Sequence, residues 1–365
     1  MGTPADSDGL RGNAILSQYG VAVIGYGVAG RSFHSAVIEA TEGLRLAAIV
    51  TSNTERAKQA QAEHPGARIV STAEDLFKDR SAIDVVVIAT PNRTHVPLAL
   101  EALEAGLHVV IDKPMAPTSA EARQLVDEAE RRKSILTVYH NRRFDGDFLT
   151  VQRLLRENAL GEIHRFESRF ERWRPVPKES WRELGDPREA GGLLFDLGPH
   201  VIDQALVLFG PVTDVYAEVD RRRDNVEVDD DVFVALTHAS GVRSHLWLSV
   251  VAAQKGPRFR VLGDRAAYTK FGMDVQEDAL RRGEVPGGEG WGVEPPDHWG
   301  MVGVGDDVHL VQSEPGAYQT FYARLVAAIR DGAPPPVDPR DAISTLEIIE
   351  AAHTSAAEHR LVEMA

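Results

Sequence analysis

Residues Val21–His34 read VAVIGYGVAGRSFH, and their reading decides the fold. Val21 to Ile24 is a run of apolar strand formers. Glycines follow at Gly25, Gly27 and Gly30, and a helical pattern begins through Ala29, Phe33, Ala36 and Val37. This is G-x-G-x-x-G between a strand and a helix, the context that lifts the motif above chance. Gly25 permits a tight turn, Gly27 lets the backbone approach a pyrophosphate, and Gly30 lets helix and strand pack closely. Phosphate charge would rest on free N–H groups at the helix N-terminus. A plainer reading is an ordinary βα turn in a glycine-rich chain, so the rest of the sequence has to separate the two.

Downstream, strands and helices alternate. Strands are expected at Val21–Gly25, Leu44–Thr51, Arg68–Val70, Asp84–Ala89, His108–Ile111 and Ile135–Val138. Helices are expected at Val28–Ala40, Thr54–Glu63, His95–Ala105 and Thr118–Lys133. DVVVIA at Asp84–Ala89 is continuously apolar after its first residue, as a strand buried on both faces should be. The alternation implies a doubly wound parallel sheet. The pattern then changes. After a helix at Asp147–Glu157, strands are expected at Ile163–Arg172, Val212–Arg221, Val232–His238, Val242–Val251, Phe259–Leu262 and Ala267–Phe271, with one clear helix among them at Pro199–Phe209. Tight turns such as Ala239-Ser240-Gly241 imply a large, mostly antiparallel open sheet in an α+β domain. One face of such a sheet is commonly left open, so a homodimer or homotetramer through it is expected. Glu284–Asp307, rich in glycine and proline, reads as a long loop. Helices at Tyr318–Asp331 and Asp338–His359 close the chain. The expected division is a loose tail over 1–14, a dinucleotide-binding domain over 15–140 and a substrate-binding, oligomerising domain over 141–365, whose last helices pack back on the first.

Bulk properties narrow the function classes. A length of 365 residues implies about two domains. A net charge of −15 argues against nucleic acid or an anionic membrane as the main partner. The chain has no cysteine, which excludes disulfides, thiolate metal sites and a cysteine nucleophile and fits a reducing, cytoplasmic setting. Its first twenty residues lack a signal-peptide pattern, and no apolar run is long enough to span a bilayer.

In open α/β sheets, ligands lie beyond the carboxyl ends of the strands. Behind the first strand lies the loop Gly25, Tyr26, Gly27, Val28, Ala29, Gly30. Behind the second come Thr51, Ser52 and Asn53, with Arg56 a turn into the helix. An NAD site usually places an acid at this position to bind the ribose 2′-hydroxyl. Hydroxyl, amide and guanidinium groups suit a 2′-phosphate instead, so NADP is preferred over NAD. Ser52-x-x-Glu55 is also a possible capping box. Behind the fourth strand come Thr90, Pro91, Asn92 and His95; behind the fifth, Asp112, Lys113 and Pro114; behind the sixth, Asn141. Proline pushes Lys113 towards an extended conformation, aiming its amine over the sheet edge.

GGLLFDLGPHVIDQ at Gly191–Gln204 is the second informative stretch. Pro199 is a natural first helical residue. His200 then lies in the first turn, where the helix dipole favours the neutral imidazole that a proton acceptor needs. Asp196 stands just before it, placed to orient the ring or to bind a hydroxyl. Capping and packing roles for both residues remain open. A metal set of Asp196, His200 and Asp203 matches no standard spacing, so no metal is expected.

Together these residues resemble the Gfo/Idh/MocA oxidoreductase family: G-Y-G-V-A-G, A-T-P-N-R-T-H, D-K-P where the family usually has E-K-P, and G-G-x-x-x-D-x-G-x-H-x-x-D. Within the family, Tyr139–Arg143, Trp181-Arg182, Asp196–Gln204 and Met273–Leu280 resemble the NADP-dependent scyllo-inositol dehydrogenases. The resemblance covers nearly the whole chain and implies a Rossmann domain. It implies a catalytic trio of Lys113, Asp196 and His200 and hydride exchange between a nicotinamide and a secondary alcohol of a cyclic polyol or sugar. Asp112 shortens the family's usual side chain beside the lysine. Arg142, Trp173, Arg174, Trp181 and Arg182 join the trio as candidate substrate contacts. Two alternatives stay open: an aldose or dihydrodiol dehydrogenase of the same family, and a dinucleotide-binding sensor without turnover.

Overall fold

The computed structural model describes residues 18–177 and 180–364; the expected tail over 1–14 lies outside the described residues. Six strands form the first sheet: β1 (Tyr19–Ile24), β2 (Leu44–Val50), β3 (Arg68–Val70), β4 (Val85–Ile88), β5 (His108–Ile111) and β6 (Leu136–Val138). Their order is β3-β2-β1-β4-β5-β6 and every neighbouring pair is parallel. The order reverses between β1 and β4, where such sheets bind ligands. Side chains alternate across it. Val21, Val23, Val85 and Val87 join one apolar cluster, and Ala22, Ile24, Val86 and Ile88 join another. That two-sided burial explains why the strands read as unbroken apolar runs.

The first helix differs from expectation. It runs as π-wound turns over Ala29–Ser35 before an α-helical end at Ala36–Glu39. Such widened turns are found frequently at functional sites. The cap of the second helix also differs: Asn53, not Ser52, accepts the Arg56 N–H at 2.9 Å.

Nine strands form the second sheet. They are β7 (Ile163–Glu171), β8 (Val212–Asp220), β9 (Asp231–His238), β10 (Arg243–Ser249), β11 (Phe259–Gly263), β12 (Ala267–Lys270), β13 (Gly300–Val304), β14 (Asp307–Val311) and β15 (Val362–Glu363). Their order is β14-β13-β12-β11-β7-β10-β9-β8-β15, antiparallel except for β7 against β10. The stretch expected as a long loop, Glu284–Asp307, instead contains β13 and leads into β14, an edge hairpin. Its glycines and half-exposed residues hide it from a search for apolar alternation. Short helices at Leu193–Asp196 and Gln276–Arg281 were likewise not expected.

The helix Pro339–Glu358 joins the two halves. Leu346, Ile349 and Ala352 share one apolar cluster with Ile88 and Ile111 of the first sheet and with Phe166 and Leu246 of the second. Thr137 Oγ1 donates to the Val337 carbonyl at 2.8 Å, and Glu350 accepts from the Ser119 backbone N–H at 2.7 Å. No single helix among the described residues is long and apolar enough to cross a membrane.

Candidate active site

Between the sheets lies a cleft of about 430 Å³. Val28 and Ala29 of the glycine loop, Asp112 and Lys113 behind β5, and Asn141 behind β6 line one wall. Phe170, Asp196 and His200 line the other.

The glycines are built for close approach. Gly25 has φ +99°, and a Cβ there would meet the Ala89 carbonyl oxygen at 2.5 Å. A Cβ on Gly30 would sit 1.8 Å from the Gly25 carbonyl oxygen, whereas one on Gly27 meets nothing within 4 Å. Gly30 therefore serves helix–strand packing, and Gly27 leaves space for a ligand. This cradle fits a dinucleotide's phosphates. Gly30→Ala is expected to lower both the melting temperature and dinucleotide affinity. Gly27→Ala is expected to leave melting unchanged while weakening affinity, as read by thermal melts and fluorescence titration.

Lys113 follows β5, and its peptide bond to Pro114 is cis. Its ammonium donates to the Asp196 backbone carbonyl and, at 3.0 Å, to the Asp196 carboxylate. Arg182 Nε donates to the same carboxylate oxygen at 3.1 Å. Burial alone would raise the Asp196 pKa, but Lys113 and Arg182 hold it well below the usual carboxylate range. The carboxylate is thus committed to the lysine and Arg182. It does not orient His200, contrary to one expectation from sequence.

His200 lies in the first turn of the helix Gly198–Phe209 and is 7% exposed. Phe170 stacks against its ring, centroids 6.1 Å apart, and Nδ1 has no hydrogen-bond partner among the described residues. Burial pushes its pKa well below the ordinary histidine value, and the Lys113 and Arg142 cations add to this. The ring is neutral at pH 7. The expected helix-dipole effect has the same sign, but burial is the dominant cause.

Other sequence candidates are placed differently. Arg142 lines the cleft but is tied to Asp145 at 3.1 Å and to Glu277 at 2.8 Å. Trp173 is 56% exposed and does not line the cleft. Strand alternation turns its neighbours Arg172 and Arg174 inward instead. Trp181 lies behind Arg182, whose guanidinium stacks 4.3 Å from the Trp181 ring centroid. Asn92, Pro114 and Trp181 line a minor adjoining pocket. The Asn92 amide donates to the Glu189 carbonyl at 3.0 Å. His95 ring nitrogens lie 2.9 Å from the Pro114 carbonyl and 3.0 Å from that of Thr90, so the ring ties two loops together outside the cleft. The Tyr26 side chain is buried with its hydroxyl donating to Glu63 at 2.6 Å, leaving only its backbone to a ligand. Ser52, Asn53 and Arg56 are exposed at the end of β2 with Thr51 beside them, and Thr90 and Pro91 are half-buried behind β4. Asp203 is paired with Arg143 at 2.5 Å.

Sequence reasoning missed Phe170, Arg172 and Glu277 as cleft residues. Glu277 sits in the stretch MDVQEDAL, which carried a resemblance but no role. Its ion pair with Arg142 is the signal only a structure supplies.

Comparison with known proteins agrees with this architecture. Residues 19–140 match the model of an oxidoreductase family's NAD-binding Rossmann fold, and residues 152–364 match the same family's C-terminal α/β domain. The chain is 34% identical to the NADP(+)-dependent scyllo-inositol 2-dehydrogenase IolW of Bacillus subtilis, over 97% of this chain and 98% of that one. It is 39% identical to the uncharacterized oxidoreductase YdgJ of Escherichia coli, over 93% and 96% of the two chains. The solved structure of YPO2259 from Yersinia pestis superposes with a TM-score of 0.89 at 38% identity, covering 97% of this chain and 99% of that one. A glycine cradle on a parallel sheet, facing a lysine, a carboxylate and a neutral histidine, accords with both matched halves, and the chain belongs to the Gfo/Idh/MocA oxidoreductase family.

Proposed function

We propose that the chain interconverts a secondary alcohol and a ketone on a cyclic, inositol-like polyol or sugar, with NADP preferred over NAD, in the cytoplasm. The observation that carries this reading is the meeting, in one cleft beside the glycine loop, of Lys113, Asp196 and an unprotonated His200. Residues Gly25–Gly30, Thr51–Asn53 and Arg56, with Thr90–Asn92 and Asp112–Pro114, would hold the dinucleotide. When bound, the dinucleotide supplies the two-electron hydride acceptor.

The chain's own residues supply the rest. His200 accepts the substrate's hydroxyl proton. Lys113 donates a hydrogen bond to the same oxygen as negative charge grows there. Asp196 keeps the ammonium in place through its 3.0 Å contact and offers its remaining oxygen to a neighbouring hydroxyl. Phe170 fixes the plane of the imidazole. In the reverse direction His200 returns the proton to the carbonyl oxygen.

NADP is supported by the end of β2, where no acid follows until Glu55. Glu55 is paired with Lys58 at 3.0 Å, and Arg56 has no acid partner among the described residues. The NADP(+) dependence of the IolW relative points the same way. The test is the absorbance of reduced nicotinamide with a panel of inositols and aldoses, NAD and NADP side by side. Turnover with a cyclic polyol and a kcat/KM at least about tenfold higher with NADP is expected, the discrimination of one charge-assisted contact. Silence with every polyol, despite measurable dinucleotide binding, would favour a sensor instead.

A further inference from the structure

Among the described residues, seven basic side chains line the cleft of a protein whose net charge is −15. Five of them are satisfied from within. Lys113 and Arg182 share Asp196. Arg142 and Arg281 share Glu277, each at 2.8 Å. Arg223 lies between Glu183 at 2.9 Å and Asp230 at 2.8 Å. The remaining two are Arg172 and Arg174, and neither has a carboxylate within ion-pair distance among the described residues.

These two guanidiniums are placed together by the backbone. Beyond β7 the chain continues extended. Arg172 N–H donates to the Ser249 carbonyl at 2.8 Å and Arg174 N–H to the Val250 carbonyl at 2.7 Å. With a two-residue repeat, Phe170, Arg172 and Arg174 project to the same side, into the cleft. The Arg172 guanidinium carbon lies 4.8 Å from the centroid of Phe170, the ring that stacks on His200. Arg172 and the imidazole thus both pack against the same aromatic ring. Arg172 is half-buried, and burial together with the Arg174 cation lowers its pKa. Arg174 is exposed at the mouth of the cleft beside it, and two like charges side by side repel unless an anion joins them.

We propose that Arg172 and Arg174 bind an oxyanion carried by the substrate itself, so that the substrate is an acidic polyol or sugar. The proposal rests on the polyol-dehydrogenase reading above and sharpens its substrate class. A guanidinium pair binds a carboxylate or a phosphate ester in two-pronged fashion, and both present the same chemistry here. The internal ion pairs leave the other five cations occupied, so the substrate's anion is directed to this corner.

The experiment pairs each acid with its neutral counterpart: glucuronate with glucose for a carboxylate, and myo-inositol 1-phosphate with myo-inositol for a phosphate. Turnover is measured with NADP and with NAD in the wild type, Arg172→Gln and Arg174→Gln. The melting shift of the dinucleotide-loaded protein with each compound is measured alongside. At least one acid is expected to exceed its neutral counterpart in kcat/KM by about tenfold or more, and to raise the melting temperature further. The glutamine variants are expected to bring that ratio towards one while dinucleotide affinity stays within about twofold. The pair that responds distinguishes carboxylate from phosphate. Equal or better use of the neutral compounds overturns the proposal and leaves the polyol reading standing. A loss of dinucleotide affinity in Arg172→Gln overturns it too, because the arginine then serves the cofactor. An acid-specific melting shift that Arg172→Gln abolishes, without turnover of any compound, upholds the oxyanion site and removes the dehydrogenase reading. Absence of both turnover and an acid-specific shift overturns both.

Discussion

Lys113→Ala is expected to lower kcat by roughly 10²–10³-fold, about 2.7–4 kcal/mol of barrier, the usual cost of losing one donor to a developing oxyanion. The fold should survive. Asp196 keeps its 3.1 Å contact with Arg182 when the ammonium is removed, so the half-buried carboxylate is not left alone. Dinucleotide binding should remain measurable, because the glycine cradle stands on β1 and its helix and does not depend on the Lys113 side chain. Steady-state kinetics with a dinucleotide titration separates the possibilities. A raised KM with unchanged kcat would show that Lys113 binds the ground state and transition state equally, and the charge-stabilising role would be lost. Lys113→Arg is a weaker substitute, since its larger, planar head meets the Asp196 carbonyl and carboxylate with different geometry.

The second large effect concerns His200. His200→Asn is expected to reduce alcohol oxidation by about 10²–10⁴-fold, the range for loss of a positioned general base. The pH dependence makes the assignment sharper. Burial depresses the pKa of His200 below its ordinary value of 6.5, so the ring is unprotonated at neutral pH and remains so into mild acid. Protonation blocks acceptance of the hydroxyl proton. Wild-type kcat/KM for oxidation should therefore stay flat as pH falls from 7 to 6.5, and decline only at lower pH. Ketone reduction needs the protonated ring and should instead rise over that lower range. Both limbs should vanish in His200→Asn. If the acid limb persisted in that variant, another group would be the proton acceptor.

The fold was largely legible in the sequence because strand burial leaves a direct trace. Val85–Ile88 is apolar at every position since both faces are covered, and Gly25 and Gly30 mark a turn with little room for a side chain. The edge hairpin β13–β14 was not legible. Gly300, Gly303 and Gly305 interrupt its pattern, and β14 is almost wholly exposed. Lys113, Asp196 and His200 could be singled out by their positions after a strand and at a helix start. Their mutual arrangement could not, since in sequence Asp196 was placed to orient the His200 ring or to bind a hydroxyl, and the structure gives it to the lysine and Arg182. Arg172 was hidden for a different reason. Its role depends on which way an extended chain alternates beyond β7, and the conspicuous residue there, Trp173, faces outward. Ion pairing also cannot be read from one sequence. The seven cleft cations of the described residues look alike until Glu277, Asp196, Glu183, Asp145 and Asp230 are seen to pair with five of them.

The apolar cluster around Val21, Val23, Val85 and Val87 is completed by Phe321, Tyr322 and Leu325. His34 and the Tyr322 hydroxyl meet at 2.6 Å inside the same region. A ribosome finishes the first sheet near residue 140 but does not deliver Phe321 until some 180 residues later. At about 5–20 residues per second, the nascent sheet waits roughly ten to forty seconds with that flank uncovered. Native burial of the cofactor half is thus a late event of synthesis, set by the arrival of the C-terminal helices. During that interval the growing chain presents a valine-rich surface not yet covered by its native partners.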